Sequence, residues 1–328
     1  MTDFGDLLAD IRGVRRVRHA WLTCSGTWAP PGTGYSSWVV QNADPDLVFE
    51  VPVQSPWSFG PVGGPDANAP SYRQSVATGK RWAIDWINAH PNQTFGLGGY
   101  SQGAQCAGEI YLELLPGGVL EHRFGDFIGG FSFGDPMRPE KVTGGGAPDP
   151  GGAGISPVRI ATPDPRWRYA ANGPKNRAVG IDLYSATPLN GAGQIIRNFY
   201  SMGVDIGLAP TPLPMVESIA RGVVQLLVDL LGPLAGLGGL AALGPSAGLA
   251  GQLLNNPAIA KLPSDSVEGV TPFDAIEAAV LALQFVAAGT GPHVSYDTTD
   301  AVPGVNHIAH AVAHVNALCA SAGARMAA

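Results

Sequence analysis

Ser101 stands in Gly99-Tyr100-Ser101-Gln102-Gly103, a G-x-S-x-G pattern. The chemistry such a serine suits is acyl transfer. A turn tight enough to hold the hydroxyl exposed between a strand and a helix needs small residues two before and two after it, so that the flanking backbones fit. Gly99 and Gly103 supply them. A helix starting at Gln102 would also aim unbonded backbone N–H groups at an oxyanion forming beside the hydroxyl.

A serine hydroxyl attacks slowly until a base takes its proton, and the base must be oriented by a carboxylate that also stabilises the imidazolium. The chain has seven histidines. His19 and His90 precede the serine, whereas a strand–serine–helix arrangement supplies its base last, in the order Ser, Asp or Glu, His. His122 stays a formal alternative, although it follows the serine helix soon. His307, His310 and His314 share the C-terminal helix; His310 and His314 have metal-ligand spacing without an accompanying acid, so they read as a plain helix face. His293 is the preferred base, because it follows a helix in the turn-rich Gly291-Pro292-His293-Val294-Ser295-Tyr296, a loop placed to hang over the sheet edge. For the carboxylate, Asp182 closes the apolar stretch Ala178-Val179-Gly180-Ile181 and is expected at a strand's carboxyl end. Asp135, in Phe133-Gly134-Asp135-Pro136, is the second choice, because Asp before Pro is usually a turn former. The oxyanion donors expected are the backbone amide of Gln102 and Thr27, in the Ser25-Gly26-Thr27 loop. No metal or organic cofactor is required.

The elements that must position these groups can be traced along the chain. Ala20–Cys24 and Leu47–Val51 read as strands, Ser71–His90 as a helix, Thr94–Leu97 as the serine strand, and Ala104–Leu114 as the serine helix ending at Pro116-Gly117-Gly118. Phe127–Phe133 is another strand, Gly144–Gly154 a loop, and Val158–Ala161 and Ala178–Leu183 are short apolar pieces. Alternating strand and helix implies an α/β fold with a parallel sheet, its site at the carboxyl ends of the strands. From about residue 191 to 270 the texture changes: Met215–Leu231 is amphipathic, and Leu230–Gly251 is uncharged and rich in Leu, Ala and Gly. That run is long enough to cross a bilayer, but Pro233, Pro245 and frequent glycines argue for a helical insertion packed on the core or walling the site. Thr271–Ala288 and Gly304–Ala320 read as helices. The expected organisation is therefore 1–190 and 271–328 as two parts of one core, with 191–270 inserted between acid and base.

The chain of 328 residues is long enough for a deep core, and its 45 Gly and 29 Pro suggest long loops rather than disorder. A net charge of -7 and a pI near 5.4 argue against nucleic-acid binding, which needs a basic face. The basic cluster Arg12, Arg15, Arg16 and Arg18 reads as a solvated face. Cys24, Cys106 and Cys319 form no CxxC pair and read as buried fillers, with Cys24 and Cys106 close in space. Met1–Asp10 has no secretory pattern, so synthesis in the cytoplasm without a signal peptide is expected, the chain staying in the cell that makes it unless another route releases it.

Four segments resemble the lysin B family of mycobacteriophages, cutinase-like serine esterases that cut the ester joining mycolic acids to arabinogalactan. Gly99-Tyr100-Ser101-Gln102-Gly103-Ala104 is similar to the family's nucleophile motif. Gly134-Asp135-Pro136-Met137-Arg138 resembles its Gly-Asn-Pro-Met-Arg segment, Ile181-Asp182-Leu183-Tyr184 its Gly-Asp-Met-Tyr, and Pro292-His293 its Pro-His. The resemblance implies an α/β-hydrolase fold of the cutinase kind, Asp182 as the acid, His293 as the base and a lipid-ester substrate. It also implies action at the mycobacterial envelope during host lysis, with contact at a lipid surface and no obligate protein partner. Asn at the position of Asp135 counts against Asp135 as the acid, and the cysteines that flank the acid in cutinases are absent. Some relatives carry an N-terminal peptidoglycan-binding module, which this chain is expected to lack. A lipase or envelope acyltransferase of the same fold would use the same triad, and a non-catalytic wall-binding or virion protein would keep only the fold.

Overall fold

The computed structural model describes residues 18–60, 68–143, 145–173, 180–203, 274, 277, 278, 281 and 291–327. Five parallel strands form the central sheet: β1 (His19–Cys24), β2 (Val48–Pro52), β3 (Phe95–Tyr100), β4 (Phe127–Phe133) and β5 (Trp167–Ala170), in the order β2-β1-β3-β4-β5. After β1 the chain adds β2 on one side and then returns to build β3, β4 and β5 on the other. The order therefore reverses between β1 and β3, and in open parallel sheets a crevice opens at that point, beyond the carboxyl ends of the two strands. Ser101 and the Ser25-Gly26-Thr27 loop lie there because they directly follow β3 and β1.

Strand residues alternate between two buried faces, as the two-residue period requires. Ala20, Leu22 and Cys24 pack with Val76, Ala83 and Ile87 of α2 (Tyr72–Ala89) and with Cys106, Ala107 and Ile110 of α3 (Gln102–Leu114). Trp21, Ile128, Phe131 and Phe133 face the other way, against Val39 and Val40 of α1 (Tyr35–Gln41) and Ala311, Val315 and Cys319 of α6 (His307–Ala327). Trp21 stacks on Phe131 with ring centroids 5.8 Å apart, across the intervening β3. That contact uses the space of missing side chains: a Cβ on Gly96 would lie 2.6 Å from the Trp21 ring. Full burial of each large apolar side chain contributes about 1.5–3 kcal/mol. Helix α2 starts with a capping box, the Ser71 Oγ accepting from the Gln74 amide at 3.2 Å and the Gln74 Oε1 accepting from the Ser71 amide at 2.9 Å.

Several expectations are corrected. The fifth strand, Trp167–Ala170, is not among the expected strands, and the short apolar piece Val158–Ala161 is irregular. Gly180 and Ile181 are not in a strand, and Asp182 instead caps the short helix α4 (Leu183–Ala186). Gly180 has φ +101°, which breaks extension before the acid is reached. The last helix begins at His307 and continues to Ala327, after a small hairpin of β6 (Asp300–Val302) and β7 (Val305–Asn306). Helix α5 (Gly191–Gly203) opens the 191–270 segment. The Met215–Leu231 and Leu230–Gly251 stretches, most of Thr271–Ala288, and Arg12, Arg15 and Arg16 lie outside the described residues. Among the described residues no helix is long and apolar enough to cross a membrane, and no cluster of metal-ligating side chains occurs.

Candidate active site

The turn at Ser101 has the geometry its glycines predict. Ser101 adopts φ 56°, ψ -120°, a conformation that costs a non-glycine residue roughly 1–3 kcal/mol and persists only where its surroundings fix it. Its amide donates to the Phe133 carbonyl at 2.9 Å, tying the turn to the end of β4. A Cβ on Gly103 would strike the carbonyls of Cys24 and Ser25, and one on Gly99 would strike the Gly103 carbonyl. These close approaches let α3 start directly against the loop leaving β1.

His293 reaches the serine from a 3-10 turn, Gly291–His293. Its Nε2 lies 2.8 Å from Ser101 Oγ and its Nδ1 lies 3.0 Å from Asp182 Oδ2. With the carboxylate ionised, Nδ1–H donates to Asp182, and Nε2 is left to accept the Ser101 proton. Contacts from three residues hold the ring and its loop. Tyr100 and Tyr184 stack on it, with centroids 5.1 and 4.5 Å away, and the Tyr100 hydroxyl donates to the His293 carbonyl at 3.0 Å. Asn172 Nδ2 donates to the Pro292 carbonyl at 2.7 Å. Gly134, at φ +56°, passes so close that an added Cβ would sit 2.6 Å from His293 Cε1 and 3.1 Å from Asp182 Oδ2. Any side chain there would push base and acid apart.

Asp182 is fully buried, and it is satisfied on both oxygens. Oδ1 accepts from the Tyr184 amide at 2.9 Å; Oδ2 accepts from His293, from Ser185 Oγ at 2.9 Å and from the Tyr296 hydroxyl at 2.5 Å. Burial alone would raise the Asp182 carboxyl, but the charge of His293 and the hydrogen bonds from His293, Tyr296 and Ser185 outweigh it and hold the group below its ordinary value. The acid is therefore kept ionised although fully buried.

The chain is similar in structure to lysin B from mycobacteriophage D29. That likeness has a TM-score of 0.46 at 19% identity and covers 66% of this chain and 90% of that one. The catalytic core of acetyl xylan esterase from Trichoderma reesei is similar over 58% of this chain and 96% of its own, with a TM-score of 0.38 and 18% identity. A cutinase-like protein from Cryptococcus sp. is similar over 57% and 89%, with a TM-score of 0.36 and 18% identity. No protein-family model matches the chain, and comparison with curated proteins gives no match.

The remaining sequence candidates have other settings. Gln102 is buried and its Nε2 donates to the Ser58 carbonyl at 2.8 Å, so the side chain anchors a loop and its backbone amide, the first of α3, is the part that can face an oxyanion. Thr27 is half-buried in the turn after β1. His19 is bound to Thr94 Oγ1 and the Cys319 carbonyl, His310 contacts Arg168, and His314 contacts the Gly130 and Arg166 carbonyls; all three serve packing. All three cysteines are free and buried, and the Cys106 thiol is pushed well above its ordinary range by burial and by its neighbour Cys24.

Asp135 belongs to the same neighbourhood without joining the relay. Its Oδ1 accepts from the Met137 amide at 2.7 Å, and burial pushes its carboxyl from 3.8 up to about 6. An acid that binds its proton more tightly folded than unfolded costs nothing below pH 4, and its penalty grows as pH rises towards 6 and stays constant above. Asp135→Asn should therefore stabilise the protein at pH 8 by up to about 3 kcal/mol, a gain that disappears by pH 4. Thermal denaturation of both proteins at the two pH values measures it; an equal gain at pH 4 and pH 8 would assign the effect to packing instead.

Sequence reading missed the residues that hold the acid and base: Ser185, Tyr296, Tyr100 and Gly134. The Gly134–Arg138 segment by itself shows no structural role for its last member. The buried Arg138 supplies one, donating to the carbonyls of Ser185 (2.6 Å), Val142 (3.0 Å) and Gly152 (2.9 Å) and so binding the loops beneath Asp182 together.

Proposed function

We propose that the protein is a serine esterase that works through an acyl-enzyme. One observation carries the reading: His293 bridges Ser101 and Asp182 at 2.8 and 3.0 Å, with both ring nitrogens used. His293 Nε2 takes the proton as Ser101 Oγ attacks the ester carbonyl, and Asp182 balances the imidazolium charge. The Gln102 amide and Thr27 are the proposed donor set for the oxyanion. His293 then gives its proton to the departing alcohol, and water repeats the sequence on the acyl-enzyme.

The substrate we propose is the ester between mycolic acids and arabinogalactan, with the protein acting at the mycobacterial envelope during phage-induced lysis. Support comes from the four motif segments named above and from the uncharged Leu-, Ala- and Gly-rich composition of residues 230–251, suited to long acyl chains. Labelling with a fluorophosphonate followed by peptide mapping tests the chemistry, and the expected product is a single adduct on Ser101. Hydrolysis of p-nitrophenyl esters of increasing length, then release of mycolic acids from purified cell walls, tests the substrate. No adduct on Ser101 in folded protein would remove the esterase reading; an adduct without mycolate release would remove only the finer one.

A further inference from the structure

We propose that Tyr296 is a positioning residue whose hydroxyl, by donating to Asp182 Oδ2, sets how strongly the His293–Asp182 pair holds a proton. The inference rests on the esterase reading for its consequence in catalysis, although its physical content is a property of the folded protein.

Tyr296 lies three residues beyond His293, in the same loop, and its ring is buried. It packs against Phe133 (5.6 Å between centroids), Tyr35 (5.9 Å) and His307 (5.4 Å), and is fully inaccessible to solvent. From there the phenol reaches the one carboxylate oxygen that also takes His293 Nδ1 and Ser185 Oγ. Oδ2 thus serves three donors, one more than its lone pairs readily accommodate, and the bond from Tyr296 is the shortest of the three. A donor on that oxygen draws negative charge away from the face turned to His293. It therefore weakens the hold of the pair on a proton, and fixes the carboxylate plane against which the imidazole is aligned.

The charged and titratable groups around this carboxylate come from each neighbouring element: His293 and Tyr296 from the 291–296 loop, Tyr184 from α4, Tyr100 from β3, and Arg138 from the loop after β4. Burial and the nearby Asp182 charge keep the Tyr296 phenol far above its ordinary range, so it remains a donor throughout the working pH range. The Tyr296 hydroxyl donates to the Asp182 carboxylate, whereas that of Tyr100 is committed to the His293 carbonyl.

Two substitutions at one position move the donor in opposite directions. Tyr296→Phe removes it, and 3-fluorotyrosine at position 296 strengthens it while keeping the ring. The measurement is the pH midpoint of proton uptake by the His293–Asp182 pair, followed through the imidazole NMR resonances, alongside the acidic limb of kcat/KM. With Phe both should move up by roughly half a unit to one unit, and with 3-fluorotyrosine both should move down by a smaller step. Unchanged KM with lowered kcat is expected for Phe, because ester binding does not involve the phenol. A ring that merely fills space would leave the midpoint unmoved in the fluorinated protein, and that result overturns the proposal even if the Phe variant does not fold. Should the wild-type protein fail to react with fluorophosphonate while the NMR midpoints shift as stated, the esterase reading falls and the role of Tyr296 on the pair stands.

Discussion

Replacing Ser101 by Ala should lower turnover of a p-nitrophenyl ester by about 10⁶, the scale seen when a serine hydrolase loses its nucleophile. The substitution removes one oxygen and leaves the backbone turn in place, since the elbow is fixed by the Phe133 carbonyl and by the glycines packed against Cys24 and Ser25. The second half of the test is non-additivity. Members of a relay act as a unit, so adding His293→Ala to Ser101→Ala should cost nothing further, although His293→Ala alone should be nearly as damaging as Ser101→Ala. Rates for both single variants and the double variant, normalised to folded protein, decide the matter. A double variant far slower than either single one would mean that His293 acts elsewhere than on Ser101.

The relay could be read from sequence because its demands are local at each member. A nucleophile turn needs glycines at fixed offsets, a base needs a ring on a turn, and chain order excludes most rivals. Strand β5 offered no such signal. Trp167-Arg168-Tyr169-Ala170 is four residues long, follows Pro165, and is extended because it pairs with Gly130–Phe133 of β4 at the sheet edge. Its alternation, Trp167 and Tyr169 inward with Arg168 opposite, is too short to stand out from a loop.

Asp182 shows the same limit from the other side: the residue was identified and its setting was not. The apolar run before it suggested a strand, whereas its amide is taken by the Asn172 carbonyl at 2.8 Å and the chain turns into α4 at once. What brings it under His293 is the loop framework held by Arg138. The donors on its oxygens belong to tertiary structure as well, Tyr296 lying 114 positions away along the chain. No pattern within a segment encodes a contact at that separation, so the relay's three members were visible while the shell that aims them was not.

Asp182→Asn should lower kcat/KM by roughly 10⁴, the loss seen when a triad acid is neutralised with its geometry kept. Here the amide cannot satisfy its neighbours in either orientation. With its oxygen at the Oδ2 position it still accepts from Ser185, Tyr296 and His293, but its NH₂ then opposes the Tyr184 amide, donor against donor. Flipped, the NH₂ faces His293 Nδ1 and favours the tautomer with its proton on Nε2, which cannot accept from Ser101. Stability carries a second signature. Because the Asp182 carboxyl is held below its ordinary value, its ionised form stabilises the fold above the unfolded-state carboxylate range, and that contribution is lost as pH falls through the folded value. The Asn variant should therefore melt below wild type at pH 8, with the gap narrowing as pH is lowered beneath about 4. Steady-state kinetics at pH 8 and melting curves across pH test the two halves separately; a loss under tenfold in kcat/KM would show that the base takes its orientation from another group.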